Sequence, residues 1–317
     1  MPVPGLGDVH VSSPLTQIAI GYPSPMARLT QVFPVVKVDK ENNTFYKFQA
    51  ADFYRDEAEV RAPDAEFTYI DYNYSTDTYQ TVEYSAAKRI PDRVRRQADA
   101  AIVNDIGATK RVMDKLTIKR ERIISVKLTT TANWSGTAAA GGYWNQNNGA
   151  PLDEIETGNQ AVQGRIGLPC NTGAMSWKAF RALRRHPQLM EHMGVFVGTG
   201  QRGPSNSAAL TASLAILAEL TSIPNWVISD GIYNSAAKGQ SASMAQMMAD
   251  TVWIGYVASA PALDEPSAGY VFEPDGGLSI LQWREPNRTS DVVGGLLNLD
   301  CKVTAADAGY TITDVLS

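Results

Sequence analysis

Residues 91–124 read PDRVRRQADAAIVNDIGATKRVMDKLTIKRERII. Val94, Ala98, Ala101, Ile102, Ile106, Met113 and Leu116 recur at three- and four-residue steps, the spacing of one helix face. Pro91 suits the first turn of a helix, and Asp92 lies beside the positive end of its dipole. Gly107 is the one weak point. About thirty residues at 1.5 Å each make a rod of roughly 45 Å, long beside globular helices of about a dozen residues. Arg93, Arg95, Arg96, Lys110, Arg111, Lys115, Lys119, Arg120 and Arg122 make the rod net basic.

What precedes this helix is extended. Residues 1–34 carry Pro2, Pro4, Pro14, Pro23, Pro25 and Pro34 with Gly5, Gly7 and Gly21 between them. Proline lacks a backbone donor and fixes φ, so the arm is neither one continuous helix nor a central strand. Val11, Leu15, Ile18, Ile20 and Met26 are more apolar than a disordered tail favours. An arm ordered by lying along a neighbour fits better.

Residues 35–84 read as β structure. Val35–Val38 and Phe45–Phe48 flank Asp39-Lys40-Glu41-Asn42-Asn43, a plausible hairpin turn. Tyr72 and Tyr74 alternate with Asp71, Asn73 and Ser75, the period of a strand with one packed face. Asp52, Asp56, Glu57, Glu59, Asp64 and Glu66 make the region acidic. A hairpin of this kind has too little apolar surface to stand alone.

After the helix, residues 129–149 (TTTANWSGTAAAGGYWNQNNG) read as a loop or irregular strand pair anchored by Trp134, Tyr143 and Trp144. Helices are expected at Asp153–Arg165, at Ala174–Met193 with a break or kink at Pro187, and from an N-cap at Ser207 to Leu220. Strands are expected at 226–228, 252–254, 278–283, 295–303 and 310–315, with glycine and proline punctuating 259–277. The whole is an α+β chain.

Composition bounds the function. The chain has 317 residues, 44% hydrophobic and 19% charged, ordinary for a protein with a sizeable core. A net charge of −5 argues against gripping nucleic acid as the main task, though not against enclosing it. Cys170 and Cys301 have no metal-ligand spacing and read as buried free thiols. No uncharged apolar run spans a bilayer, and the opening residues lack a secretory pattern, so no membrane partner is expected.

Catalytic signals are weak. Gly198-x-Gly200-x-x-Gly203 matches a dinucleotide fingerprint, with Glu219 as its acidic partner. Yet Glu219 falls inside the next helix pattern, so a flexible glycine loop is the better reading. His10, His186 and His192 share no zinc-enzyme spacing, and there is no nucleophile elbow or P-loop lysine. No catalytic, cofactor-binding or metal-binding residue is expected. The basic helix has two readings. Its cations form a solvated face, or the acidic stretch of one copy (Asp52, Asp56, Glu57, Glu59) lies across the helix of another (Arg93, Arg95, Arg96, Lys110, Arg111).

This order of segments resembles the major capsid proteins of tailed bacteriophages with the Hong Kong 97 fold. The likeness runs through an arm (1–34), a β-hairpin extension loop with flanking strands (35–84), a peripheral domain (85–154) with spine helix 91–124, an axial domain (155–285) and a closing β region (286–317, within WREPNRTSDVVGGLLNLDCKVTAADAGYTITDVLS). The resemblance implies a structural, non-enzymatic subunit that assembles with itself into hexamers and pentamers. The shell would enclose double-stranded DNA without sequence-specific binding, in a virion built in the host cytoplasm. Separate scaffolding, portal and decoration proteins are the implied partners; because Met1 stands almost directly in the arm, scaffolding is expected as a separate chain. Some relatives weld the loop to a neighbour through a lysine. Lys37, Lys40 and Lys47 lie in the corresponding segment, but no partner asparagine is identifiable and no crosslink is expected. An encapsulin-like compartment is the alternative, and a nucleotide-dependent enzyme the third reading.

Overall fold

The computed structural model describes residues 10–11, 28–47, 53–61, 63–64, 66–70, 75–97, 101–146, 148–190, 206–262 and 265–317. In chain order the strands are β1 His10–Val11, β2 Val35–Val38, β3 Asn42–Lys47, β4 Ser75–Gln80 and β5 Val82–Pro91. The helices α1 Asp92–Gln97 and α2 Ala101–Thr129 follow, then β6 Gly136–Ala139, α3 Pro151–Ile166, β7 Thr172–Ser176 and α4 Trp177–Arg185. After α5 Asn206–Thr221 come β8 Asn225–Ser229, β9 Ile232–Asn234, β10 Met244–Gln246, β11 Val252–Gly255, β12 Gly269–Pro274, β13 Leu278–Glu285, β14 Ser290–Val303 and β15 Gly309–Thr313.

The sequence places the long helix well and its ends less well. Pro91 closes β5 and the helical conformation opens at Asp92; α2 runs on to Thr129, past the expected Ile124. Residues 98–100 lie outside the described residues. Ala108, Val112, Met113, Leu116, Ile124 and Leu128 are buried, while Lys110, Arg111, Lys115 and Lys119 face outward. The buried stripe lies on a sheet in which β14 is the hub. β14 pairs antiparallel with β13, with β5 and, through its last residues, with β12; β12 then pairs parallel with β2. Helix α2 can approach β14 because Gly295 has no side chain. A Cβ there would sit 2.7 Å from Val112 Cγ1 and 2.9 Å from Leu116 Cδ1, closer than packed carbons tolerate.

The second sheet has the order β6-β15-β11-β7-β8. Every residue of β7 (TGAMS) and β11 (VWIG) is buried, so these strands show no alternation, as expected when both faces are covered. Helices α3, α4 and α5 pack against this sheet. Pro151 opens α3, and Gly167, at φ 71, closes it in the left-handed conformation glycine adopts without strain. Ser176 caps α4, its hydroxyl accepting from the Ala179 N–H at 3.2 Å.

Several expectations are corrected. The segments 35–38 and 45–48 do not form a hairpin with each other: β2 pairs with β12, and β3 pairs antiparallel with β4. The expected helix 174–193 begins as strand β7; the helix proper runs from Trp177 to Arg185, breaks at His186 beside Pro187 as expected, and helical turns resume over 187–190. Ser207 lies inside α5 rather than capping it. Residues 259–277, read as punctuation, contain buried strand β12. Residues 55–61 and 66–70 form no strand, so among the described residues the β reading of 35–84 holds at its two ends and fails between them. Tyr72 and Tyr74 lie outside the described residues.

The end of the expected arm belongs to this chain's own core. Leu29, Val32 and Phe33 are buried, and the Phe33 ring meets Trp253 edge-on, with centroids 5.8 Å apart. Trp253 also packs on Trp134 at 5.2 Å. Cys170 and Cys301 are buried and unbridged, and burial pushes both thiols up to about 12.

Candidate assembly surfaces

The acidic segment exposes greasy side chains among its carboxylates. Val60, Phe67, Tyr69 and Ile70 are 104%, 71%, 90% and 55% exposed, which for large apolar groups clustered in one segment marks a surface awaiting a partner. The root of the segment is tied to its own chain. The Tyr54 hydroxyl donates to the Ile166 carbonyl at 2.5 Å, at the end of α3. Glu57 pairs with Arg55 at 3.3 Å, and the Arg61 guanidinium lies 4.2 Å over the Phe67 ring. Asp56 and Glu59 are exposed. Asp52 lies outside the described residues.

The basic helices turn out to be partly neutralised from within. Arg95 reaches Asp105 at 2.6 Å and Asp291 at 2.5 Å. Arg284 pairs with Asp92 at 2.5 Å and with Asp291 at 3.0 Å. This network joins the start of the helical region to β13 and β14. The Arg284 guanidinium holds the Asp92 carboxyl below the usual carboxylate range. Farther along, Arg120 meets Glu273 at 3.4 Å, Lys119 covers Tyr84 and Arg122 covers Tyr233. Of the cations expected to meet another copy, Arg95 is therefore committed inside its own chain. Arg93, Arg96, Lys110 and Arg111 are exposed. Acidic segment and basic helix are not brought together within one copy by any ion pair among the described residues.

Lys37 pairs with Glu273 at 3.2 Å and Lys47 with Asp77 at 2.8 Å, so two of the three lysines considered for a crosslink are held within this chain. The glycine run 198–203, His192 and the side chain of His10 lie outside the described residues; His186 is buried. Among the described residues there is no group of three or more His, Cys, Asp or Glu suited to a metal, and no helix long and apolar enough to cross a membrane.

One buried acid escaped the sequence reading. Glu121 is fully buried on the inner side of α2 and accepts from Leu29 N–H at 3.1 Å and Thr30 N–H at 3.0 Å. It fastens the segment entering the core to the long helix. Its place on the same helix row as Leu128 and Ile124, at three- and seven-residue steps, was the available signal.

No protein-family model matches the sequence. The chain is 23% identical over 315 residues, 95% of each protein, to the major capsid protein of Burkholderia phage BcepMu. Its fold superposes on a phage-related protein from Bordetella bronchiseptica RB50 with a TM-score of 0.74 at 21% identity, covering 97% of this chain and 98% of that one. The capsid of cyanophage P-SCSP1u gives a TM-score of 0.60 at 10% identity over 93% of this chain and 90% of that one. The chain has the α+β fold of phage capsid proteins, and the Hong Kong 97-type architecture accords with it.

Proposed function

We propose that this protein is a structural subunit that assembles with copies of itself into the icosahedral shell of a tailed phage, enclosing its double-stranded DNA. The observation that carries the reading is the end-to-end correspondence with a phage capsid protein, 95% of both chains. The exposed apolar side chains of residues 60–70 support it, because they need cover that the described parts of this copy do not give them.

Within that reading, residues 53–70 are the extension loop, α2 is the spine, and the sheet built on β11 belongs to the axial domain. Asp56 and Glu59 of one copy face Arg93, Arg96, Lys110 and Arg111 of the next. Each such surface pair is worth about 0–1 kcal/mol, so their role is register and orientation, while the apolar contacts supply adhesion. Closed rings of heterologous contacts give the hexamers and pentamers. Scaffolding, portal and decoration proteins are separate partners, and the subunit performs no catalysis.

Size-exclusion chromatography and negative-stain microscopy of the expressed chain test this. Megadalton shells, tubes or capsomer rings are expected; a small, concentration-independent oligomer overturns the proposal.

A further inference from the structure

Lys178, Arg181 and Arg185 stand on the exposed side of α4, whose inward side is Ala179, Phe180 and Leu183. From first to last they span roughly 10 Å of helix. They border a cleft of about 370 Å³ that Gln146, Trp144 and His186 also line. None of the three cations is ion-paired among the described residues. Compensation of the helix dipole accounts for Arg185 in the last turn but not for Lys178, which sits in the first turn where the dipole disfavours a cation.

His186 adds an independent observation. It is 4% exposed, and its Nδ1 accepts the Gln188 N–H at 3.3 Å. The neutral ring must then carry its hydrogen on Nε2, and Nε2 is buried without a hydrogen-bond partner among the described residues. Nearby acids are already engaged. Glu154 accepts from Gly141 N–H and Trp144 Nε1 at 2.9 and 2.8 Å, and Asp153 accepts from Gln188 Nε2 at 3.1 Å. Three uncompensated cations and one orphaned donor call for the same complement, a group that carries negative charge and only accepts hydrogen bonds.

We propose that this cleft binds phosphate groups of a nucleic-acid backbone, with Lys178, Arg181 and Arg185 as the charge row and His186 Nε2–H, shielded from solvent in the empty cleft, as a directional donor reached when the ring turns towards the ligand. One duplex strand carries a phosphate for about every 3.4 Å of helix axis, but successive phosphates wind round that axis and lie about twice as far apart, so a row of roughly 10 Å faces about two of them. An acidic protein segment fits less well: residues 56–70 carry exposed Val60, Phe67 and Tyr69 among their carboxylates, and a charged rim gives such groups little cover. The anion chemistry stands by itself; naming enclosed DNA as its source rests on the shell reading. The test therefore uses the dilute, unassembled full-length subunit, so that failure to assemble and failure to bind are separate results.

Fluorescence anisotropy of a short labelled duplex is measured across a salt series. The triple variant K178Q/R181Q/R185Q is expected to bind about tenfold more weakly, with a salt slope reduced by about two at roughly 0.9 per phosphate contact. K88Q/K238Q/R288Q removes three exposed charges elsewhere on the subunit and is expected to leave the affinity within about twofold, since the contact is local. His186→Phe, which keeps a ring and loses the donor, is expected to weaken binding severalfold, with circular dichroism reporting its fold. Equal losses in both triple variants, or none in any variant, overturn the site. Inorganic phosphate that binds while the duplex does not supports the anion pocket and overturns the backbone assignment. Displacement of the duplex by a peptide of residues 52–66, but not by phosphate at matched ionic strength, overturns the proposal in favour of a protein ligand.

Discussion

Burial pushes the Glu121 carboxyl up to about 7 from its ordinary 4.5, with nearby Asp230 adding to the rise and the Leu29 and Thr30 N–H groups and Arg120 opposing it. A folded-state value above the unfolded one means the folded chain holds the proton more tightly. The stabilisation is complete below about pH 4.5 and is lost as pH rises through about 7. A shift of this size corresponds to about 3 kcal/mol. Urea unfolding between pH 4.5 and 8 is expected to show the wild type losing stability across this window relative to Glu121→Gln, whose amide does not titrate. Parallel profiles would remove Glu121 from the account. The pH response would act on the segment that carries Leu29, Val32 and Phe33 into the core, because the carboxyl is what its backbone hangs from. The sequence hid this role: a glutamate flanked by Arg120 and Arg122 reads as one more charge on a solvated face until its row-mates Ile124 and Leu128 are seen to be buried.

At the scale of elements, what was legible followed from local periodicity. The α2 stripe declares itself every three or four residues, and so do the leucines of α5. Strand β7 does not, because Thr-Gly-Ala-Met-Ser is fully buried, shows no alternation and has a single β-branched residue, Thr172. The false hairpin has a related cause. Turn-forming residues 39–43 are a local signal, whereas the true partner of β2 is β12, more than two hundred residues away and invisible to any window. A glycine pair such as Gly294-Gly295 within a strand marks a close approach, but the sequence does not say what approaches. Gly295→Val is expected to lift α2 from β14 and destabilise the subunit by about 1–3 kcal/mol, measured as a fall in unfolding midpoint. Phe33→Ala, which empties the site against Trp253, is expected to cost about 3–5 kcal/mol. A loss of that size by chemical denaturation would show that the arm ends inside its own subunit; a loss near zero would return Phe33 to a neighbour.

For the whole molecule, the division of labour between charge and apolar contact decides how assembly responds to solution conditions. Arg95, Arg120 and Arg284 are committed to pairs within one chain, so fewer cations are available for pairs between copies than the sequence suggests. Salt screens what remains, since the Debye length falls from about 10 Å at 0.1 M to about 3 Å at 1 M, while burial of Val60, Phe67, Tyr69 and Ile70 does not weaken with salt. Replacing residues 56–70 with a glycine-serine linker of equal length, with Tyr54 kept on the Ile166 carbonyl, is expected to leave a folded subunit whose critical concentration for assembly rises at least tenfold. Replacing Asp56 and Glu59 with their amides alone is expected to change that concentration only a few-fold, and chiefly at low salt. Light scattering against subunit concentration separates the two. A charge variant as impaired as the linker variant would make electrostatics the adhesive, and a linker variant that assembles normally would place the adhesive surface elsewhere on the chain.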